Sequence, residues 1–271
     1  MRELADRVAV VTGGGSGIGA AIARRLAAER MRVAVADIEL EAARAVAEGL
    51  GPGALALHVD VASRESSGAL AAAVERELGG CSLLCANAGV LVIGRLDARS
   101  REDWEWGLSV NLFGLIHSVD AFLPLLRRAP GEKQIVITAS MAGLLAAGPG
   151  KGIYNATKHA QMAYGETLRA ELASEAIGVS LLLPAGTQSR IAESARNRPE
   201  ALGRARFGPE DLEAIRLGVG ETQAVPADHA VRHLVRGIRE NAPWIVTHGS
   251  QRALVERRFR AILAAFDAAE G

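Results

Sequence analysis

Aromatic side chains are scarce, only 4% of the 271 residues. A core cannot then be built around large rings. Val, Leu, Ile and Ala must fill it, and with 30 glycines in the chain, helices can lie close against a sheet. Charge excess is missing as well: Lys+Arg and Asp+Glu are both 31, so the formal net charge is zero. A nucleic-acid-binding domain carries a basic excess or stripe, so that class is excluded. Cysteine is nearly absent. Cys81 and Cys85, in "CSLLCANAG", read as small core residues; they imply no disulfide framework, and a metal site would need further ligands nearby. A reducing compartment fits. No apolar run approaches ~18 residues, and "MRELADRVAVVTGG" carries no apolar signal segment. The expectation is a soluble cytoplasmic protein with no membrane partner and no metal.

What is present is alternation. Short β-branched runs, "RVAVVT" (7–12), "RVAVAD" (32–37), "ALALHVD" (54–60), "SLLCANAG" (82–89), "KQIVITAS" (133–140), "GVSLLLP" (178–184) and "PWIVTH" (243–248), read as strands. Between them lie helical patterns, including 40–50, 67–79, a long tract from Ser100 to Arg128, and 153–175. Continuous apolar strands separated by helices predict an α/β fold: one doubly wound, parallel, seven-stranded sheet with helices on both faces. The whole chain, 1–271, reads as one domain. The irregular stretch is 185–225, polar, Arg-rich and interrupted by Pro199 and Pro209. It follows strand six, where open α/β sheets bind ligands, and reads as a substrate lid. Its arginines, Arg190, Arg196, Arg198, Arg204 and Arg206, either clamp an anionic group or form a solvated face, the second being favoured.

"TGGGSGIG" (12–19) sits between the first strand and the first helix. Gly13, Gly17 and Gly19 permit a tight turn, close approach of a ligand to backbone, and close helix–strand packing. Gly15, Ser16 and Ile18 complete a cradle whose helix N-terminus offers N–H groups to a pyrophosphate. A turn that merely packs is the plainer alternative. Asp37, at the end of strand two, can accept bonds from an adenosine ribose and would repel a 2′-phosphate; the alternative is a cap for helix 40–50. Ile38 follows it where an Arg would favour the phosphate. NAD is therefore expected over NADP. In "IYNATKHA", Tyr154 and Lys158 lie one helical turn apart on one face, which suits either an exposed surface or an acid/base pair.

Taken together these motifs resemble the short-chain dehydrogenase/reductases, with their Rossmann-like fold. The likeness runs over about residues 5–190. Thr12, Gly13, Gly17 and Gly19 match TGxxxGxG; "HVDV" places Asp60 and Val61 at the adenine; "CANAG" carries the NAG triplet as Asn87, Ala88 and Gly89. "SVNLFG" supplies Asn111, "VITASMAG" supplies Ser140, and "YNATK" is the YxxxK motif. The resemblance implies Tyr154 as acid/base, with its pKa lowered by Lys158, which also binds the cofactor ribose. Ser140 would steady the substrate oxygen. Asn111 would hold a helix break and a water on the proton path. The usual PGxxxT is "PAGTQS", so Pro184, Gly186, Thr187 and Ser189 would face the nicotinamide, while Ala185 replaces a glycine.

The stretch "PAGTQSRIAESARNRP" is similar to the subgroup that oxidises benzylic secondary alcohols from lignin. The expected activity is hydride transfer between NAD and an apolar or aromatic secondary alcohol or ketone, with Val92, Met141, Ala142, Gly150 and Ile191 at the substrate. A non-catalytic NAD-binding redox sensor is the alternative, disfavoured by the intact proton-handling set. An epimerase or dehydratase of nucleotide sugars is a third reading, disfavoured by the short C-terminal part. The resemblance further implies pairing of the helices at 100–128 and 153–175 between subunits. With the apolar stripe of 254–266, a homotetramer is expected, a dimer being the runner-up.

Overall fold

Strands that are buried along their length need cover on both sides. The computed structural model, which describes residues 1–146, 148–203 and 224–269, provides that cover. The strands are β1 (Val8–Thr12), β2 (Arg32–Asp37), β3 (Leu55–His58), β4 (Leu83–Ala86), β5 (Lys133–Thr138), β6 (Ile177–Leu183) and β7 (Trp244–Val246). The helices are α1 (Gly17–Ala28), α2 (Leu40–Leu50), α3 (Arg64–Leu78), α4 (Arg101–Leu108), α5 (Gly114–Arg128), α6 (Gly152–Glu171), α7 (Ala227–Ala230), α8 (Leu234–Arg239) and α9 (Arg252–Asp267). The seven strands pair in the order β3-β2-β1-β4-β5-β6-β7, all parallel.

One apolar layer joins the sheet to α3, α5 and α6 through Leu70, Val74, Leu115, Phe122 and Met162. The opposite layer joins it to α1, α2 and α8 through Ile22, Leu26, Ala43, Leu234 and Ile238. The strand order turns around between β1 and β4, so a crevice opens beyond their C-terminal ends. Cys81 and Cys85 lie in this packed interior, and burial pushes both thiols up, Cys81 to about 12.

The tract 100–128 departs from the sequence reading in two ways. It is not one α-helix: α4 and α5 are joined by a π-helical turn at Ser109–Phe113. Asn111 sits in that turn and spends its side chain outside the helix, on Val90 and Thr157. The tract also contains a stretch long and apolar enough, by composition, to cross a membrane. Asn111, His117, Ser118 and Asp120 interrupt it as a run, and Leu115, Val119, Phe122 and Leu126 are spent on the domain's own core. Helix α9 buries no residue, and its Leu254, Phe259, Ile262, Leu263 and Phe266 are exposed. Only Val255 of the stripe packs against the core, and the rest of it is left uncovered.

Candidate active site

The turn after β1 leaves space only where side chains are missing. Gly13 has φ +64, and a Cβ on Gly19 would stand 2.0 Å from the Gly13 carbonyl oxygen. Asn87 braces the turn by donating from Nδ2 to the carbonyls of Thr12 (3.0 Å) and Gly13 (3.1 Å). Thr12 Oγ1 in turn accepts the N–H groups of Asn87 and Ala88. Ser16 stands at the start of α1 without capping it, so the first N–H groups of that helix face the crevice unclaimed by its side chain. Asp37 is buried; its Oδ2 accepts the Gly15 N–H at 2.8 Å and its Oδ1 the Glu39 N–H at 3.0 Å. It thus braces both the glycine turn and the approach to α2, so the capping alternative and the ribose role share one carboxylate. Asp60 Oδ1 accepts from Ala62 N–H at 2.9 Å, which aims its strand end at the same space.

One cavity of about 1240 Å³ gathers most of the expected residues. Gly13, Ser16, Gly17, Ile18, Gly19, Asp37, Ile38, Asp60, Val61, Asn87, Ala88 and Gly89 line one part of it. Ser140, Tyr154, Lys158, Pro184, Gly186, Thr187, Ser189, Met141, Ala142 and Ile191 line the rest. A chain of open backbone cradle, buried carboxylate and strand-end hydroxyls is the donor set that a nicotinamide dinucleotide requires, and the cavity has room for it. Four expected residues lie elsewhere. Gly15 is turned to Asp37. Val92 is buried with Trp106 and Ile153 beneath the lid. Gly150 is spent on backbone, accepting the Gly94 N–H at 2.8 Å. Asn111 stands behind the wall, fully buried, so it acts on the site through other residues.

The catalytic cluster is built from β5, α6 and the π turn. Ser140 Oγ accepts the Ala142 N–H at 3.0 Å, donates to the Pro184 carbonyl at 3.4 Å, and lies close enough to the Tyr154 phenol to lower its pKa. Lys158 is buried, its Nζ 5.5 Å from the centre of the Tyr154 ring. Nζ donates to the Thr138 carbonyl (2.9 Å) and to Gln161 Oε1 (2.8 Å). Gln161 Nε2 then donates to the Asn111 carbonyl. Sequence reasoning missed Gln161, although it lies three residues past Lys158, on the same helical face. Its amide spans the gap between Lys158 and Asn111 directly.

The electrostatics correct the expected lowering of Tyr154. Burial pushes the Tyr154 phenol up, the Ser140 bond offsetting part of this, and burial pushes Lys158 down to about 7. In the protein alone, burial thus opposes the charged form of both groups.

The lid is fastened rather than free over its described parts, 185–203 and 224–225. Its two ends pair, Gln188 N–H donating to Val225 O at 2.8 Å and Val225 N–H to Gly186 O at 3.0 Å. Ser194 Oγ accepts the Leu91 N–H at 3.0 Å. Arg196 reaches Glu39 at 2.5 Å, with Arg190 at 3.6 Å from the same carboxylate. Arg198 is buried, bonded to Asp103 at 2.6 Å, with its guanidinium over the Trp106 ring. The solvated-face reading therefore fails for Arg198, while Arg196 stays exposed with its ion pair; Arg204 and Arg206 lie outside the described residues. Removing Arg198 takes a buried cation from Asp103, which keeps Arg99 at 3.9 Å and the Ser100 N–H, so the loss sits at the low end for a broken buried pair. Arg198→Ala should thus cost roughly 3 kcal/mol of stability, read from the denaturant midpoint. An unchanged midpoint would show that the pair does not hold the lid down. Ala185 is accommodated because its φ is not positive, and its N–H is directed at His248 Nδ1, 3.4 Å away.

A parallel sheet with a dinucleotide cradle at its crossover, and a Ser–Tyr–Lys cluster facing that cradle, defines a nicotinamide-dependent oxidoreductase. The chain belongs to the short-chain dehydrogenases: the model of that family, described as short chain dehydrogenase, matches residues 7–200. The C alpha-dehydrogenase of Sphingobium sp. strain SYK-6 is 31% identical over 270 residues, covering 97% of this chain and 87% of that one. A short chain dehydrogenase/reductase from Burkholderia phymatum, solved in complex with NAD, superposes with TM-score 0.91 at 35% identity, covering 98% of this chain and 97% of its own. A short chain dehydrogenase from Burkholderia cenocepacia, in complex with NADP, gives TM-score 0.75 at 27% identity, covering 90% of this chain and 97% of its own. The protein is an enzyme acting on CH–OH donors.

Proposed function

We propose that this protein is an NAD-dependent dehydrogenase of apolar or aromatic secondary alcohols, working in the cytoplasm. The observation that carries this reading is the Ser140–Tyr154–Lys158 cluster in a cavity whose further walls are Val90, Leu91, Met141, Ala142, Leu145 and Ile191. Apolar walls with a few convergent polar groups suit a largely hydrophobic substrate. The similarity to a C alpha-dehydrogenase, together with "PAGTQSRIAESARNRP", favours a benzylic alcohol. Asp37 supports NAD as the preferred dinucleotide.

When bound, the dinucleotide supplies the nicotinamide that exchanges hydride and a negatively charged pyrophosphate. The remaining work falls to the chain. Ser140 Oγ holds the substrate oxygen beside the Tyr154 hydroxyl. Tyr154 takes the alcohol proton during oxidation and returns it during reduction. Lys158, once charged, favours the phenolate and lowers the barrier to that transfer. Gln161 and the Thr138 carbonyl fix where the ammonium stands. A screen of secondary alcohols and ketones, followed by NADH absorbance, tests the reading; no turnover across aliphatic, alicyclic and benzylic members would overturn it, and a non-catalytic NAD-binding sensor would then fit better.

We further propose a homotetramer. On α6, Ala163, Thr167 and Ala170 are exposed and Ala160 is half-buried, a face of small side chains on which another helix can lie close. The uncovered stripe of α9 offers a second contact, and two such contacts build a tetramer with two-fold axes. Sedimentation at micromolar concentration should report four times the 28.3 kDa chain mass. Twice that mass would leave only one of the two faces in use, and an active monomer would refute both.

A further inference from the structure

A lysine sits where folding gives it no reason to be. Lys151 stands at the N-cap of α6, three residues before Tyr154, and is only 9% exposed. Its backbone is fixed: it bridges to Gly94, and its carbonyl accepts the Asn155 N–H at 2.8 Å. Its side chain caps nothing, since an ammonium has no acceptor to offer the free N–H groups of the first turn. A cation at a helix N-terminus also opposes the helix dipole. Among the described residues no hydrogen bond or ion pair engages its Nζ, and Nζ is not among the buried atoms left without a partner. Lys151 lines the cavity together with Ser140 and Tyr154.

The surroundings sharpen the point. The carboxylates that line this cavity, Asp37 and Asp60, follow β2 and β3 at the adenosine end. Beside Ser140 and Tyr154 in sequence the lining is Met141, Ala142, Leu145 and Ala146, while Arg190, Arg196, Arg257 and Arg258 line the cavity from the lid and α9. Burial alone holds the Lys151 ammonium below its ordinary value, with no neighbouring charge to offset it. A desolvated cation with apolar walls and no counter-charge is costly unless a ligand brings the charge in.

We propose that Lys151 binds an anionic oxygen of the substrate, so that the preferred substrate is an aromatic or apolar secondary alcohol, or its ketone, bearing a carboxylate or an ionised phenol. This rests on the dehydrogenase reading of the site. It differs from that reading in assigning the substrate a charge, which the apolar walls alone do not call for.

The test uses the full chain and matched ketones: para-acetylbenzoate, para-hydroxyacetophenone above the pKa of its phenol, and neutral acetophenone. Steady-state reduction with NADH gives kcat/KM for each, and calorimetry gives binding to the NADH-loaded protein. One charge-assisted bond should favour at least one of the two anions by about tenfold or more over acetophenone. The carboxylate and phenolate arms tell which anion fits. In Lys151→Met that ratio should fall to about one, and in Lys151→Arg it should largely persist. Because the fold loses a desolvated charge, Lys151→Met should melt at or above the temperature of the unmodified protein. Equal ratios in the unmodified protein and Lys151→Met, or a preference for acetophenone over both anions, would overturn the proposal. Absent turnover with anion binding that depends on Lys151 would overturn the dehydrogenase reading alone and uphold the anion site.

Discussion

Replacing Tyr154 with Phe should abolish turnover and leave dinucleotide binding nearly intact. The substitution removes one hydroxyl and keeps the ring, so the cavity wall and the packing of α6 stay as they are. What is lost is the group that exchanges the alcohol proton. General acid–base catalysis is worth about 10²–10⁴ in rate, and no other titrating hydroxyl stands ready to replace it. Ser140 lines the same cavity beside Tyr154 but is too weak a base to substitute. Lys158→Ala should behave differently. It removes the buried cation 5.5 Å from the ring centre and also empties the bonds to Thr138 and Gln161, so turnover and cofactor affinity should fall together. Rapid-mixing rates and dissociation constants for both variants separate the two patterns. Retention by Tyr154→Phe of more than a tenth of the activity on any accepted substrate would show that the proton travels by another route.

The parts of this site that could be read in the sequence are those set by neighbours along the chain. A glycine needed at positive φ, a carboxylate at a strand end, and two side chains one helical turn apart all follow from local geometry. Gly13, Asp37, Tyr154 and Lys158 were legible for that reason, and so was the alternation that specifies a doubly wound sheet.

What was not legible depends on contacts between distant segments. The π turn at Asn111 exists because its side chain is claimed by Val90 and Thr157. Gln161 matters because Asn111 O lies opposite it across the packed helices. The lid arginines looked solvent-facing because Glu39 and Asp103, their partners, lie far away in sequence. Lys151 reads as a loop lysine until its burial is known. The net direction of the Tyr154 shift was not legible for the same reason: spacing reports adjacency, whereas a pKa also depends on how much water burial removes.

The unmodified protein should bind NAD more tightly than NADP, by about tenfold or more, the scale of one charge-assisted contact made or opposed. Asp37→Ala should narrow that gap. Asp37 is buried at the end of β2, beside the exposed Ile38, where the adenosine ribose is expected. Each carboxylate oxygen uses one lone pair on a backbone N–H, Gly15 or Glu39, and keeps another for a ribose hydroxyl. A 2′-phosphate there would meet a desolvated negative charge. Arg190 and Arg196, which line the same cavity, are paired with Glu39.

Alanine at 37 removes the repulsion but also frees the glycine turn, so both affinities should drop and the ratio is the quantity to measure. Asp37→Asn separates the two effects, because one oxygen remains to brace the turn while the charge is gone. Adding Glu39→Gln should release Arg196 and narrow the gap further. A lower dissociation constant for NADP than for NAD in the unmodified protein would overturn the preference. A gap unmoved by Asp37→Asn would show that discrimination comes from the shape of the ribose pocket rather than from the charge at its edge.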